Sequence, residues 1–109
     1  MAEKKNEFAR YATPRCKVEV GTDLTRWPRV VLTFEDKSGN QFDVDSRSGQ
    51  MEVTPTHIAF VLSQEQTGSL EEGNIKLMVN AVGAAGERTY SKIFTGKVTH
   101  NLKDEVLYV

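Results

Sequence analysis

Three side chains of this 109-residue sequence are of the kind that bind soft or borderline metals or act as nucleophiles and bases: Cys16, His57 and His100. Metal sites written into a sequence place such ligands a few residues apart. None of the three stands at a short ligand spacing to another, so they read as strand-end or surface residues. Asp43 and Asp45, followed by Gly49, resemble the opening of a calcium loop. Arg47 takes the third acidic position, however, and Thr54 stands where the bidentate glutamate belongs, which leaves solvated carboxylates. No Gly-x-Ser-x-Gly elbow supports a nucleophilic serine. The glycines around Ala84 and Ala85 lack the Lys-Ser/Thr of a phosphate loop, and Glu71-Glu72 reads as a polar turn. Arg10, Arg15, Arg26 and Arg29 lie near Tyr11 and Trp27. Fourteen basic against fifteen acidic residues give a net charge of −1, which argues against nucleic acid as the main partner. The residues therefore assign no catalytic group, no metal and no cofactor, and the chain is expected not to be an enzyme.

The elements that carry these residues are mostly strands. Ile58, Phe60 and Leu62 alternate with His57, Ala59 and Val61. Ile75, Leu77, Val79 and Ala81 alternate with Lys76, Met78, Asn80 and Val82. A period of two puts each set on one face of a half-buried strand. Between them, Ser63 and Gln66 have the spacing of a capping box, which predicts one helical turn over 64–67, ended by Gly68. Strand, one-turn cap, strand is a way to cross from one sheet of a sandwich to the other. Val30, Leu32 and Phe34 define a further strand, returned through an Asp-Lys-Ser-Gly-Asn hairpin to Phe42 and Val44. Cys16, Val18 and Val20 mark a strand that Pro14 keeps at an edge or interrupts, and Met51 with Val53 a short one ended by Pro55. The last strand, 88–94, is irregular: Tyr90 and Phe94 share a parity that Ile93 opposes, and Gly96 is placed for a bulge. About seven strands at these spacings predict an all-β, immunoglobulin-like antiparallel β-sandwich with one short helical turn.

A chain of this length is normally one domain and buries a core without metals or disulfides. The single cysteine excludes an internal disulfide and fits a reducing cytoplasm. Residues 1–8 have no apolar centre, so no signal peptide is expected there, and no run approaches the ~20 apolar residues of a membrane span. The expected division is a flexible N-terminal arm, 1–7, a sandwich domain, 8–100, and a tail, 101–109. Val106, Leu107, Tyr108 and Val109 make that tail too apolar for an ordinary solvated end; it either completes the chain's own core or docks on a neighbour.

Four segments carry a family resemblance. They are the Arg10-Tyr11-Ala12-Thr13-Pro14 opening, the strand from Ile58 running into Ser63-Gln64-Glu65-Gln66-Thr67, the Gly73-Asn74-Ile75-Lys76-Leu77-Met78-Val79 strand, and Asp104-Glu105-Val106-Leu107. In these the chain resembles the immunoglobulin-like domain of phage baseplate upper proteins, although Gly83-Ala84-Ala85-Gly86 stands where an Asp-Gly turn is typical. The resemblance implies a phage or prophage structural or assembly protein of tail, baseplate or head. Its partners would be other phage structural proteins and itself. It would reside in the host bacterial cytoplasm during assembly and then in the virion. The alternative is a binding module for a host cell-surface glycan or host protein, with Tyr11 and Trp27 as aromatic anchors. The expected interaction residues are Tyr11, Trp27, Val106, Leu107, Tyr108 and Val109.

Overall fold

The computed structural model describes residues 7–109, and of 89–92 the backbone alone. All but Glu7 of the expected N-terminal arm lies outside the described residues. Eight strands and one helix follow in order: β1 (Glu7–Ala9), β2 (Arg15–Glu19), β3 (Arg29–Glu35), β4 (Gln41–Asp45), β5 (Met51–Val53), β6 (His57–Val61), α1 (Gln64–Gly68), β7 (Gly73–Val82) and β8 (Arg88–Thr99). They form a five-stranded sheet ordered β1-β8-β7-β3-β4 and a three-stranded sheet ordered β2-β6-β5. This is the all-β sandwich the alternation predicts, with one departure. β1 runs parallel to β8, pairing Phe8 with Val98, while the other pairs are antiparallel.

The sheets face each other through the alternating apolar sets. Val30, Leu32 and Phe34 of β3, Ile58 and Phe60 of β6, and Ile75, Leu77, Val79 and Ala81 of β7 are buried, with Val18, Val44 and Val98. Phe34 stacks on Phe42, with ring centroids 4.7 Å apart, and meets Phe60 of the opposite sheet edge-on at 5.5 Å. At roughly 25 cal/mol per Å² of apolar surface removed from water, this shared layer is the main stabilising term.

The crossing between sheets is the capped turn. The Ser63 hydroxyl accepts from the Gln66 N–H, and the Gln66 side chain accepts from the Ser63 N–H. Leu62 before the cap and Leu70 after it are both buried, so the turn is held from the core side as well as by its own hydrogen bonds. The buried Thr67 hydroxyl donates to Ala12 O and ties the segment between β1 and β2 onto the helix.

Arg10 completes that corner. Its guanidinium donates to Leu70 O at 3.0 Å and Gly68 O at 2.9 Å, pairs with Asp104, and lies 5.2 Å from the Tyr11 ring. Tyr11 adopts φ 62°, a left-handed conformation that costs a β-carbon residue about 1 kcal/mol or more. The Tyr11 ring lies on Gly68, where a Cβ would overlap it. Gly68→Ala is therefore expected to destabilise the fold by about 1–3 kcal/mol through overpacking. The measurement is a chemical-denaturation double-mutant cycle with Tyr11→Ala, in which the double variant loses less than the two single losses added together. Simple additivity would refute the contact.

The irregular strand departs from its sequence reading in one place. The face switch of β8 falls between Ser91, paired with Asn80, and Thr89, paired with Ala81, so Tyr90 is the extra residue. Gly96 instead continues the ladder opposite Ile75. Its lack of a side chain lets the backbone pack on the core side, where Gly96 is buried.

Candidate functional site

The outer face of the five-stranded sheet is set by strand register. Across its middle run Asp43 (β4), Thr33 (β3), Met78 (β7) and Ile93 (β8), each the cross-strand partner of the next. One step along, Gln41, Glu35 and Lys76 stand side by side. Sheet curl makes a cleft of about 420 Å³ here, lined by Thr33, Glu35, Gln41, Lys76, Met78, Asn80, Arg88 and Ile93. Its floor is the adjacent pair Met78 and Ile93; Ile93 is 55% exposed, on the stretch of β8 that among the described residues pairs with β7 alone, since β1 reaches only Lys97, Val98 and Thr99.

The polar wall is partly satisfied within the chain. The Gln41 amide donates to Glu35 at 2.7 Å, and the Thr33 hydroxyl donates to Asp43 at 2.7 Å. Beside this face Arg29 is paired with Asp45 at 2.6 Å. Burial alone raises the Asp45 pKa, but the Arg47 N–H and the Arg29 guanidinium outweigh that and hold the carboxyl below its ordinary value. Among the described residues, Lys76 and Arg88 make no salt bridge. They lie toward opposite ends of the cleft, since Arg88 pairs with Val82, six residues along β7 from Lys76 or about 20 Å at the rise of a strand. Among the described residues, no Ser, Cys or His side chain lines this cleft.

A smaller depression, of about 250 Å³, lies on the three-stranded sheet against Arg15, Cys16, Gln50, Met51, Ala59 and Val61. Burial pushes the Cys16 thiol pKa up, so it is a poor thiolate nucleophile at neutral pH.

The residues singled out from the sequence fall in two places. Tyr11 lies in the Arg10 corner against Gly68, and the tail passes over the same corner. The Gln64 side chain clips the tail backbone there, donating to Leu107 O and accepting from Leu107 N–H, both at 2.8 Å. Val106 is half-buried, while Leu107 (56%), Tyr108 (87%) and Val109 remain exposed, as does Leu102 (96%). The tail thus docks in cis through its backbone while most of its large apolar side chains face solvent. Trp27 is apart from this group, half-buried against the core. The Met78–Ile93 cleft was not among the sequence candidates. Its signal was an apolar Met78 alternating outward between Lys76 and Asn80, but which strand lies beside β7 is decided by long-range pairing.

The candidates for metal chemistry are not brought together. Among the described residues no three His, Cys, Asp or Glu side chains converge to hold a metal ion. His57 Nδ1 is within hydrogen-bond distance of the Thr54 and Thr56 hydroxyls, and His100 Nδ1 lies 3.4 Å from Glu72. No helix among the described residues is long and apolar enough to cross a membrane.

Fold and site together define a β-sandwich with a shallow, mixed-polarity cleft on its larger sheet. No protein-family model matches the chain, and no curated protein matches it. Among solved structures it is similar to CopC from Methylosinus trichosporium OB3b, at TM-score 0.52 and 15% identity over 97% of this chain and 91% of that one. That likeness is one of fold. It corrects the expected resemblance to phage baseplate upper proteins: the likeness found is to CopC. The expected phage or prophage structural role and the expected path from host cytoplasm to virion are withdrawn with it. The physical reason is plain in the structure. The four segments that suggested the family serve folding here: the strand from Ile58 runs into a capping box, the Gly73 strand is β7, and the Arg10 opening and the Asp104 ending meet in one ion pair. A metal site does not follow from the fold likeness, since the described candidate ligands are dispersed. One equivalent of Cu(II) or Zn(II) is expected to leave the melting temperature unchanged within about 1 °C, whereas occupancy at 100 times Kd adds about 2.7 kcal/mol. A rise of several degrees in scanning calorimetry would contradict this.

Proposed function

We propose that the chain is a non-catalytic binding module whose contact surface is the cleft on the outer face of the five-stranded sheet. The observation that carries this reading is Ile93, more than half exposed and side by side with Met78 at the floor of that cleft. Exposed apolar surface rimmed by polar groups marks interaction sites, and an apolar floor with a few polar groups is the usual make-up of a ligand cleft. Lys76 and Arg88 select for acidic groups toward the two ends. The ligand that fits is an extended segment about six residues long, with apolar side chains at its centre and a carboxylate near an end.

The test is fluorescence anisotropy with a panel of labelled acidic–apolar hexapeptides. The expected result is binding by the native chain that Ile93→Glu weakens at least about tenfold, since an apolar contact is lost and a like charge introduced. The variant site is exposed, so its folding is expected to be unchanged, which circular dichroism checks. Equal affinity in a folded Ile93→Glu variant would remove the proposal.

A further inference from the structure

We infer that the ligand of the outer-face cleft is the C-terminal tail of a second copy of this chain. The inference rests on the reading of the cleft as a contact surface. Six large hydrophobic side chains are prominently exposed among the described residues: Ile93 in the cleft, Val61 on the other sheet, and Leu102, Leu107, Tyr108 and Val109 in the tail. The tail is presented in an ordered way, because Gln64 holds both backbone groups of Leu107 and Arg10 holds Asp104. The clip leaves the side chains of Leu107 and Tyr108 pointing away from their own fold and cuts the ordering entropy a partner must otherwise overcome.

The same clip denies the tail its own cleft. It fixes Leu107 on α1, at the crossing between sheets, whereas Met78 and Ile93 lie on the outer face of the larger sheet. Contact between the two is therefore made in trans. The contact is apolar, Leu107 and Tyr108 against Met78 and Ile93, and charge adds little, because Asp104 is already paired with Arg10 and Glu105 with Lys103. The overall charge of −1 adds little long-range repulsion between copies. A contact from one surface patch to a different one is heterologous and leaves a cleft and a tail unused at the ends, so copies add head to tail. One tail segment in one cleft belongs with the weak, transient contacts below ~1,200 Å², so association is sought at concentrations from about 10 µM to about 1 mM.

Sedimentation velocity of the full chain across that range tests the inference. The expected result is a mass that climbs with concentration. Ile93→Glu and the double variant Leu107→Ser/Tyr108→Ser are each expected to remain monomeric alone. Mixed, they supply one intact tail and one intact cleft and are expected to form a dimer that grows no further. A native mass independent of concentration would overturn the inference, as would a mixture that fails to dimerise. If the tail variant still assembles, or if the native chain stays monomeric while acidic–apolar peptides bind the cleft, the tail is not the occupant and the cleft reading stands. If the peptides also fail, both readings fall together.

Discussion

Phe34→Ala is expected to lower the unfolding free energy by roughly 3–5 kcal/mol, the cost of deleting a large buried aromatic from a packed site. Phe34 is fully buried near the C-terminal end of β3. It stacks on Phe42 within its own sheet and touches Phe60 across the sandwich, so one side chain joins both layers. Leu77 is its cross-strand neighbour on β7, which leaves no flexible surface able to collapse into the hole. A domain of this size is stable by about 5–15 kcal/mol, so the substitution removes a large share. The melting temperature is expected to fall by about 12 °C or more, read by calorimetry. Phe42→Ala, at a half-buried site, is expected to cost clearly less. A loss below about 1 kcal/mol for Phe34→Ala would mean that the two sheets do not pack as described.

Asp36→Ala is the second large effect, at about 2–3 kcal/mol, and it carries a pH signature. The carboxylate is buried at the β3–β4 hairpin. It accepts from Ser38 N–H, Asn40 N–H, the Asn40 amide and Glu71 N–H, at 2.8–2.9 Å, and so fastens the hairpin to the segment entering β7. Burial alone raises its pKa, but the donors of Asn40, Glu71 and Ser38 more than offset that, and the net shift is downward from 3.8. The sign follows directly. A folded-state pKa below the unfolded one contributes stability that is complete above the unfolded value and drains away as pH falls through the folded value. Urea midpoints of the native chain are thus expected to be flat above about pH 5 and to fall below pH 4, near the unfolded carboxyl value. Asp36→Ala is expected to be less stable at neutral pH by the stated amount and to lose less on acidification. Parallel acid profiles for the two proteins would contradict the role given to the carboxylate.

The sandwich was legible in the sequence wherever apolar residues alternate. β3, β6 and β7 bury the residues their period assigns, and Ser63 and Gln66 cap the crossing as their spacing demands. Signals of that kind are local. The parallel pairing of Phe8 with Val98 has no local signature, because its partner lies at the other end of the chain. The bulge at Tyr90 was read at Gly96 because glycine permits bulges without compelling them. Arg10 was visible within a motif, yet its partners Gly68, Leu70 and Asp104 are 58, 60 and 94 residues away. That corner explains why the motif is informative about folding and misleading about family. The cleft was the least legible feature. Met78 and Ile93 are unremarkable singly, and only the register of β7 against β8 makes them one apolar floor.

The most direct measurement is a ¹H–¹⁵N chemical-shift map of the full chain on addition of the tightest-binding acidic–apolar hexapeptide. The expected map is a single patch across Thr33, Lys76, Met78 and Ile93, with the α1 corner and Trp27 unmoved. A map centred on Arg15, Ala59 and Val61, or one spread over no connected surface, would contradict the outer-face cleft as the binding site.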